Sequence, residues 1–131
     1  MSDKPSLSDG EKYTILIVDD EKEILEPYSS ALSSAGFRVL TASNGAEGVA
    51  VAKAKKPDLI LMDLKMPILD GMDATMELKN DPATRDIRVV FLTAFGNPIT
   101  DLGVAHSYQA IDFIKKGISL EELAQQVKKY F

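Results

Sequence analysis

Asp58-Leu59-Ile60-Leu61-Met62-Asp63-Leu64-Lys65-Met66-Pro67-Ile68-Leu69-Asp70-Gly71 is the stretch from which the rest of the chain is read. Leu59 to Met62 form a short, continuous apolar run between polar neighbours, the pattern of a strand buried on both faces. The run stops at a carboxylate, Asp63. Pro67 and Asp70-Gly71 then signal a loop. A carboxylate at the C-terminal end of a buried strand lies on the edge where open α/β sheets put their ligands. On this stretch alone, a surface aspartate in a βα loop is at least as good a reading of Asp63 as a functional one. The other strand ends have to decide.

The chain has 131 residues, which suits one domain with a single core. It contains no cysteine, so disulfides and thiolate metal sites are excluded, and His106 as the one histidine excludes a multi-histidine site. A formal net charge of −5 argues against a nucleic-acid-binding surface. No apolar run is long enough to span a bilayer, and the N-terminus has no signal-peptide core. The expectation is a soluble cytoplasmic protein without a membrane partner.

Residues 1–12 are polar and aperiodic and read as a flexible leader. Ile15 to Val18 form a second buried-strand run that ends in Asp19, Asp20 and Glu21. Ile24, Leu25, Tyr28, Ala31, Leu32 and Ala35 then recur at helical spacing up to Gly36, with Asp20 expected as the cap. Pro27 predicts a kink in that helix, or a later start. Arg38–Ala42 alternates like an edge strand. Asn44 caps a helix to about Lys55, and another helix runs from Gly71 to about Lys79. Val89 to Leu92 form the third buried run and end at Thr93. Around Pro98–Ser107, Gly96, Pro98 and Gly103 predict a short or mobile helix. Ala110–Ile114 is the last strand, followed by Lys115, Lys116 and Gly117. Ser119 and Glu122 form a capping box for the final helix. Five strands alternating with five helices imply a doubly wound parallel sheet covered on both faces, an α/β fold.

In such a sheet, Asp19-Asp20, Asp63, Thr93 and Lys116 come together along one edge. Three neighbouring carboxylates repel strongly unless a cation sits among them. With only oxygen donors present, that cation is expected to be Mg²⁺. A lysine and a hydroxyl opposite it suit a phosphoryl group, and a carboxylate can attack phosphorus to give an aspartyl phosphate.

With these motifs in order, the chain resembles the receiver domain of two-component response regulators, of the single-domain kind met in chemotaxis and sporulation. The resemblance rests on Ile15-Leu16-Ile17-Val18-Asp19-Asp20-Glu21, the opening stretch with Met66-Pro67 and Asp70-Gly71, Leu92-Thr93-Ala94, and Phe113 three residues before Lys116. It covers residues 13–131. It implies a flavodoxin-like three-layer fold with strand order 2-1-3-4-5. It also implies Asp63 as phosphoacceptor, and Mg²⁺ on Asp20, Asp63 and the backbone carbonyl of Lys65, with Asp19 acting through metal-bound water. Lys116 would pair with phosphoryl oxygens, while Thr93 and Phe113 would act as the switch. A histidine kinase or phosphotransfer protein would be the donor. A downstream protein would dock on the face of the fourth helix, last strand and last helix.

Lys115 competes with Lys116 for the catalytic place, and the Phe113 spacing favours Lys116. Glu21 could reach a metal water or serve the helix dipole. The side chains of Lys65 and Phe95 border the incoming group and are expected to modulate hydrolysis. Two departures from the family stand out: Gly117 in place of proline, for which a trans bond is expected, and Gln109 where a glycine usually ends the fourth helix. They keep alive a second reading, a receiver-shaped interaction module that ignores phosphorylation. An aspartate-nucleophile phosphatase is disfavoured because Lys65 stands where its second carboxylate would be. A P-loop and a flavin site are disfavoured because no glycine-rich phosphate loop follows the first strand. The expectation is therefore a switch that catalyses only its own phosphotransfer and dephosphorylation, not a metabolic enzyme. The sequence includes no output domain: if it is the whole protein, it would act by docking or by relaying phosphate, and otherwise it is one module of a longer regulator or hybrid kinase.

Overall fold

The structure, a computed structural model, describes residues 12–94 and 98–131. Ten elements alternate strictly: β1 (Thr14–Val18), α1 (Lys22–Ser34), β2 (Arg38–Ala42), α2 (Gly45–Lys55), β3 (Leu59–Asp63), α3 (Gly71–Asn80), β4 (Arg88–Thr93), α4 (Pro98–Ser107), β5 (Asp112–Lys115) and α5 (Leu120–Lys128). All strand pairs are parallel, and the sheet order is β2-β1-β3-β4-β5. This is the doubly wound, flavodoxin-like architecture, with its reversal of direction between β1 and β3. The expected leader lies, apart from Lys12, outside the described residues.

The apolar runs are continuous because each central strand feeds two cores. Leu16, Val18, Ile60, Met62, Val89 and Phe91 pack on one side of the sheet, with Val49 and Ala52 of α2, Ala74 and Leu78 of α3 and Ala105 of α4. The odd partners Ile15, Ile17, Leu59 and Leu61, with Val90 and Leu92 of β4, pack on the other side against Tyr28 and Leu32 of α1 and Leu123 and Val127 of α5. Each fully buried Leu, Ile, Val or Phe side chain contributes roughly 1.5–3 kcal/mol. These two layers therefore dominate stability and hold the strand ends in fixed register.

Local chemistry sets most boundaries. Asn44 accepts the Glu47 N–H at 2.8 Å, and Ser119 accepts the Glu122 N–H at 3.1 Å, the caps expected for α2 and α5. Asp70 caps α3 through the Asp73 N–H at 2.8 Å. Gly36, at φ 102°, closes α1, with the Phe37 N–H bonded back to the Leu32 carbonyl. The start of α1 differs from expectation. Its N-cap is Glu21, with no side-chain cap bond. Asp19 Oδ1 instead accepts the Glu21 N–H at 2.9 Å, and that turn fixes where the helix begins. The helix runs unbroken through Pro27, which excludes the later start.

α4 forms over the expected residues, and its stop is the less expected feature. Gln109 takes φ 64° and the Ala110 N–H reaches the Ala105 carbonyl at 2.8 Å, so glutamine occupies the left-handed position that glycine normally fills. The extra turn delays β5, which begins at Asp112 rather than Ala110. The methionines largely pack, with Met62 buried and Met66 and Met72 against the core, but Met76 is exposed. His106 is also exposed.

Candidate functional site

Strand alternation decides which polar groups meet. Ile15 and Ile17, Leu59 and Leu61, and Ile114 all face the α1/α5 core. Continued by two residues, that side receives Asp19 after β1, Asp63 at the end of β3 and Lys116 after β5. Lys115 falls on the other side with Phe113, is exposed, and pairs in register with Thr93. Alternation was thus a sequence signal able to separate the two lysines, and it agrees with the choice made from the Phe113 spacing.

Lys116 Nζ lies 2.8 Å from Asp19 Oδ2, 3.0 Å from Asp63 Oδ1 and 3.3 Å from Glu21 Oε1. Asp19 is 0% and Asp63 4% exposed. The Lys116 backbone N–H donates to the Thr93 carbonyl at 2.7 Å, which ties the lysine loop to the end of β4. Gly71, the first residue of α3, donates to the Leu64 carbonyl at 3.0 Å and lies flat against β3. A Cβ there would fall 2.0 Å from the Asp63 carbonyl oxygen, so only glycine lets α3 start this close to Asp63.

Two buried carboxylates share one ammonium, so neither is fully compensated. Burial pushes the Asp63 carboxyl up from 3.8 to about 6, with the Lys116 hydrogen bond opposing and repulsion from Asp19 adding to the rise. Burial also raises Asp19, against the pull of Lys116. Burial alone would lower Lys116, but its contacts with Asp19 and Asp63 more than reverse this and raise it. Asp19 Oδ2 touches the ammonium as an ion pair but has no partner in good hydrogen-bond geometry. An under-compensated oxygen cluster without nitrogen or sulfur donors suits a hard divalent cation. Among the described residues, Asp19, Asp20 and Glu21 bring carboxylate oxygens within 4.8 Å of one another, and Asp63 joins them across Lys116.

The cleft above these groups measures about 260 Å³ and is lined by Glu21, Asp63, Leu64, Lys65, Leu92, Thr93, Ala94 and Lys116. Thr93 is nearly buried at its rim, while Asp20 and Lys65 are exposed. Phe113 is half-buried, opposite Phe91 and against the α2–α4 core. Phe95 lies outside the described residues. The Lys116–Gly117 bond is trans, as expected, with Gly117 at φ 93°.

Two residues gain weight only from the structure. Glu21 brings its carboxylate to the ammonium, a contact that local spacing could not reveal. Tyr28 reads as core in a helical stripe, yet its buried hydroxyl faces the Gly117 backbone amide. Ile68 is 82% exposed at φ 73°, and the Leu69 N–H closes a three-residue turn onto the Pro67 carbonyl at 2.8 Å. This is the rare, strained form of γ-turn, beside the cleft.

Comparison with known proteins bears on this geometry. The sequence model described as the response regulator receiver domain matches residues 15–128. The phosphate regulon transcriptional regulatory protein PhoB of Pseudomonas aeruginosa is 42% identical over 118 residues, covering 88% of this chain and 50% of PhoB. Protein PilH of the same organism is 37% identical over 113 residues, covering 86% of this chain and 93% of PilH. The chemotaxis response regulator CheY4 of Vibrio cholerae superposes with a TM-score of 0.85 at 24% identity, covering 92% of this chain and 100% of that one, a likeness of fold. The chain spans about half the length of PhoB and of several other curated relatives. No helix among the described residues is long and apolar enough to cross a membrane.

Proposed function

The chain belongs to the response regulator receiver domain family, and from that premise we propose that it is a phosphorylatable switch of a two-component or phosphorelay system. It accepts a phosphoryl group on Asp63 from a histidine kinase or phosphotransfer protein in the cytoplasm. The observation that carries this reading is the pair of buried carboxylates, Asp19 and Asp63, sharing the Lys116 ammonium at the edge of the sheet.

An Asp63 oxygen attacks the donor phosphorus in line with the breaking P–N bond. The bonding pair leaves with the imidazole, which takes up a proton, and Asp63 holds an acyl phosphate. Lys116 exchanges its Asp63 contact for a phosphoryl oxygen. Asp20, Asp63 and the Lys65 backbone carbonyl would hold Mg²⁺, and Asp19 would act on it through water. When bound, Mg²⁺ supplies the positive charge that offsets the carboxylates and the phosphoryl oxygens. Thr93 turns its hydroxyl toward the phosphoryl group and Phe113 moves inward. The two give the face of α4, β5 and α5 a second state that a downstream protein reads. The protein catalyses no reaction beyond its own phosphorylation and dephosphorylation.

The Lys65 side chain, at the cleft lining, contacts the phosphoryl group and obstructs the attacking water. Lys65→Asn is therefore expected to shorten the aspartyl-phosphate lifetime, and an unchanged decay rate would remove that role. The reading as a whole is tested with a small phosphodonor and Mg²⁺, followed by intact mass. One phosphoryl group is expected on the wild type and none on Asp63→Asn. A wild type that stays unlabelled while a control receiver labels would favour the phosphorylation-independent interaction module.

A further inference from the structure

Tyr28 is almost fully buried, at 4% exposure, in the second turn of α1. It belongs to the same buried cluster as Ile17, Ile114 and Leu123, and Ile118 of the lysine loop packs against that cluster. The phenol oxygen is buried and has no partner in full hydrogen-bond geometry. Leaving such a group unsatisfied is costly, so a nearby donor is strongly favoured. The backbone amide facing it belongs to Gly117, and Lys116 and Asp19 lie within electrostatic reach.

Gly117 makes that donor available. As a glycine it keeps a backbone N–H and adopts φ 93°, and a Cβ at its position would meet nothing within 4 Å. The loop is therefore not wedged by packing at this point. It is held by the Thr93 carbonyl on the Lys116 amide, by the contacts of the Lys116 ammonium and by the packing of Ile118 one residue further on. Phosphotransfer would change the ammonium contacts, because Asp63 Oδ1 becomes engaged with phosphorus. A glycine loop that loses one of its ties needs another to keep Nζ aimed.

We propose that the Tyr28 hydroxyl is a positioning group for Lys116: it accepts the Gly117 N–H and clamps the lysine loop to α1 while Lys116 moves from the Asp63 carboxylate to the phosphoryl group. The role rests on the phosphoacceptor reading above. It couples α1 to the site through a backbone amide and leaves the reacting atoms untouched.

The test compares full-length wild type with Tyr28→Phe, which keeps the ring and removes only the oxygen. With Mg²⁺ and phosphoramidate, the initial rate of Asp63 phosphorylation is expected to fall roughly three- to tenfold, the scale of one hydrogen bond. In ¹⁵N spectra of the unphosphorylated protein, Gly117 amide exchange should accelerate severalfold while that of Gly36, in the α1–β2 turn, stays unchanged. A wild-type Gly117 amide in the variant would overturn the clamp even if the rate fell, because a loss of general packing would then explain the rate. An unchanged rate with an altered amide would overturn the positioning role. If the wild type itself takes no phosphoryl group, the phosphoacceptor reading fails, and the Gly117 amide alone still decides whether Tyr28 holds the loop.

Discussion

Asp63→Asn is expected to make the metal-free protein more stable. The Asp63 carboxyl is buried and raised from 3.8 to about 6. A folded state that binds the proton more tightly than the unfolded chain loses stability as pH rises between those two values. Below about pH 4 both states are protonated and the group costs nothing. Above about pH 6 the full penalty applies, roughly 3 kcal/mol for a gap of about two pH units. Asparagine mimics the protonated carboxyl in size and stays neutral. Urea unfolding with a chelator present should therefore show the variant about 3 kcal/mol more stable at pH 7.5, or roughly 10 °C higher in Tm for a domain of this size. The two proteins should converge near pH 4. Added Mg²⁺ should raise the wild type more than the variant and narrow the gap. An advantage that stays the same from pH 4.5 to 7.5 would refute the reasoning, since it could not come from ionisation of this carboxylate.

Lys116→Met leaves Asp19 and Asp63 buried without their shared cation, and unfolding at neutral pH should show a loss of about 3–5 kcal/mol that acid or Mg²⁺ partly restores. Gly71→Ala drives a Cβ into the Asp63 carbonyl; a loss of about 1–3 kcal/mol is expected, together with slower labelling by a phosphodonor. Ile68→Gly relieves a β-branched residue at φ 73° and should stabilise the protein by up to about 1–2 kcal/mol in chemical denaturation.

What the sequence disclosed follows the range of the forces involved. β1, β3 and β4 were legible because burial on both faces leaves an uninterrupted apolar run. Asn44 and Ser119 were legible because a cap needs only three residues of context. The meeting of Asp19, Asp63 and Lys116 was legible because parallel strands bring all their C-termini to one edge. The start of α1 was misread because Asp19 and Asp20 are equivalent as letters, and only the turn onto the Glu21 amide separates them. The stop of α4 was obscured because glutamine adopts a left-handed conformation that its type seldom takes. The Tyr28–Gly117 approach joins residues far apart in the chain and leaves no local trace.

The ion pairs of Lys116 also have a mechanical meaning. β5 and β1 are not neighbours, since β3 and β4 lie between them. A side chain anchored after β5 that grips a carboxylate after β1 acts as a bowstring across the open edge of a twisted sheet. While taut, it ties the ends of β1 and β5 together over the four strands that the core layers already hold in register. A cation or phosphoryl group that takes over one of its anchor points would slacken it. The chemistry of a single carboxylate would then be felt as a change in curvature beneath α1 and α5.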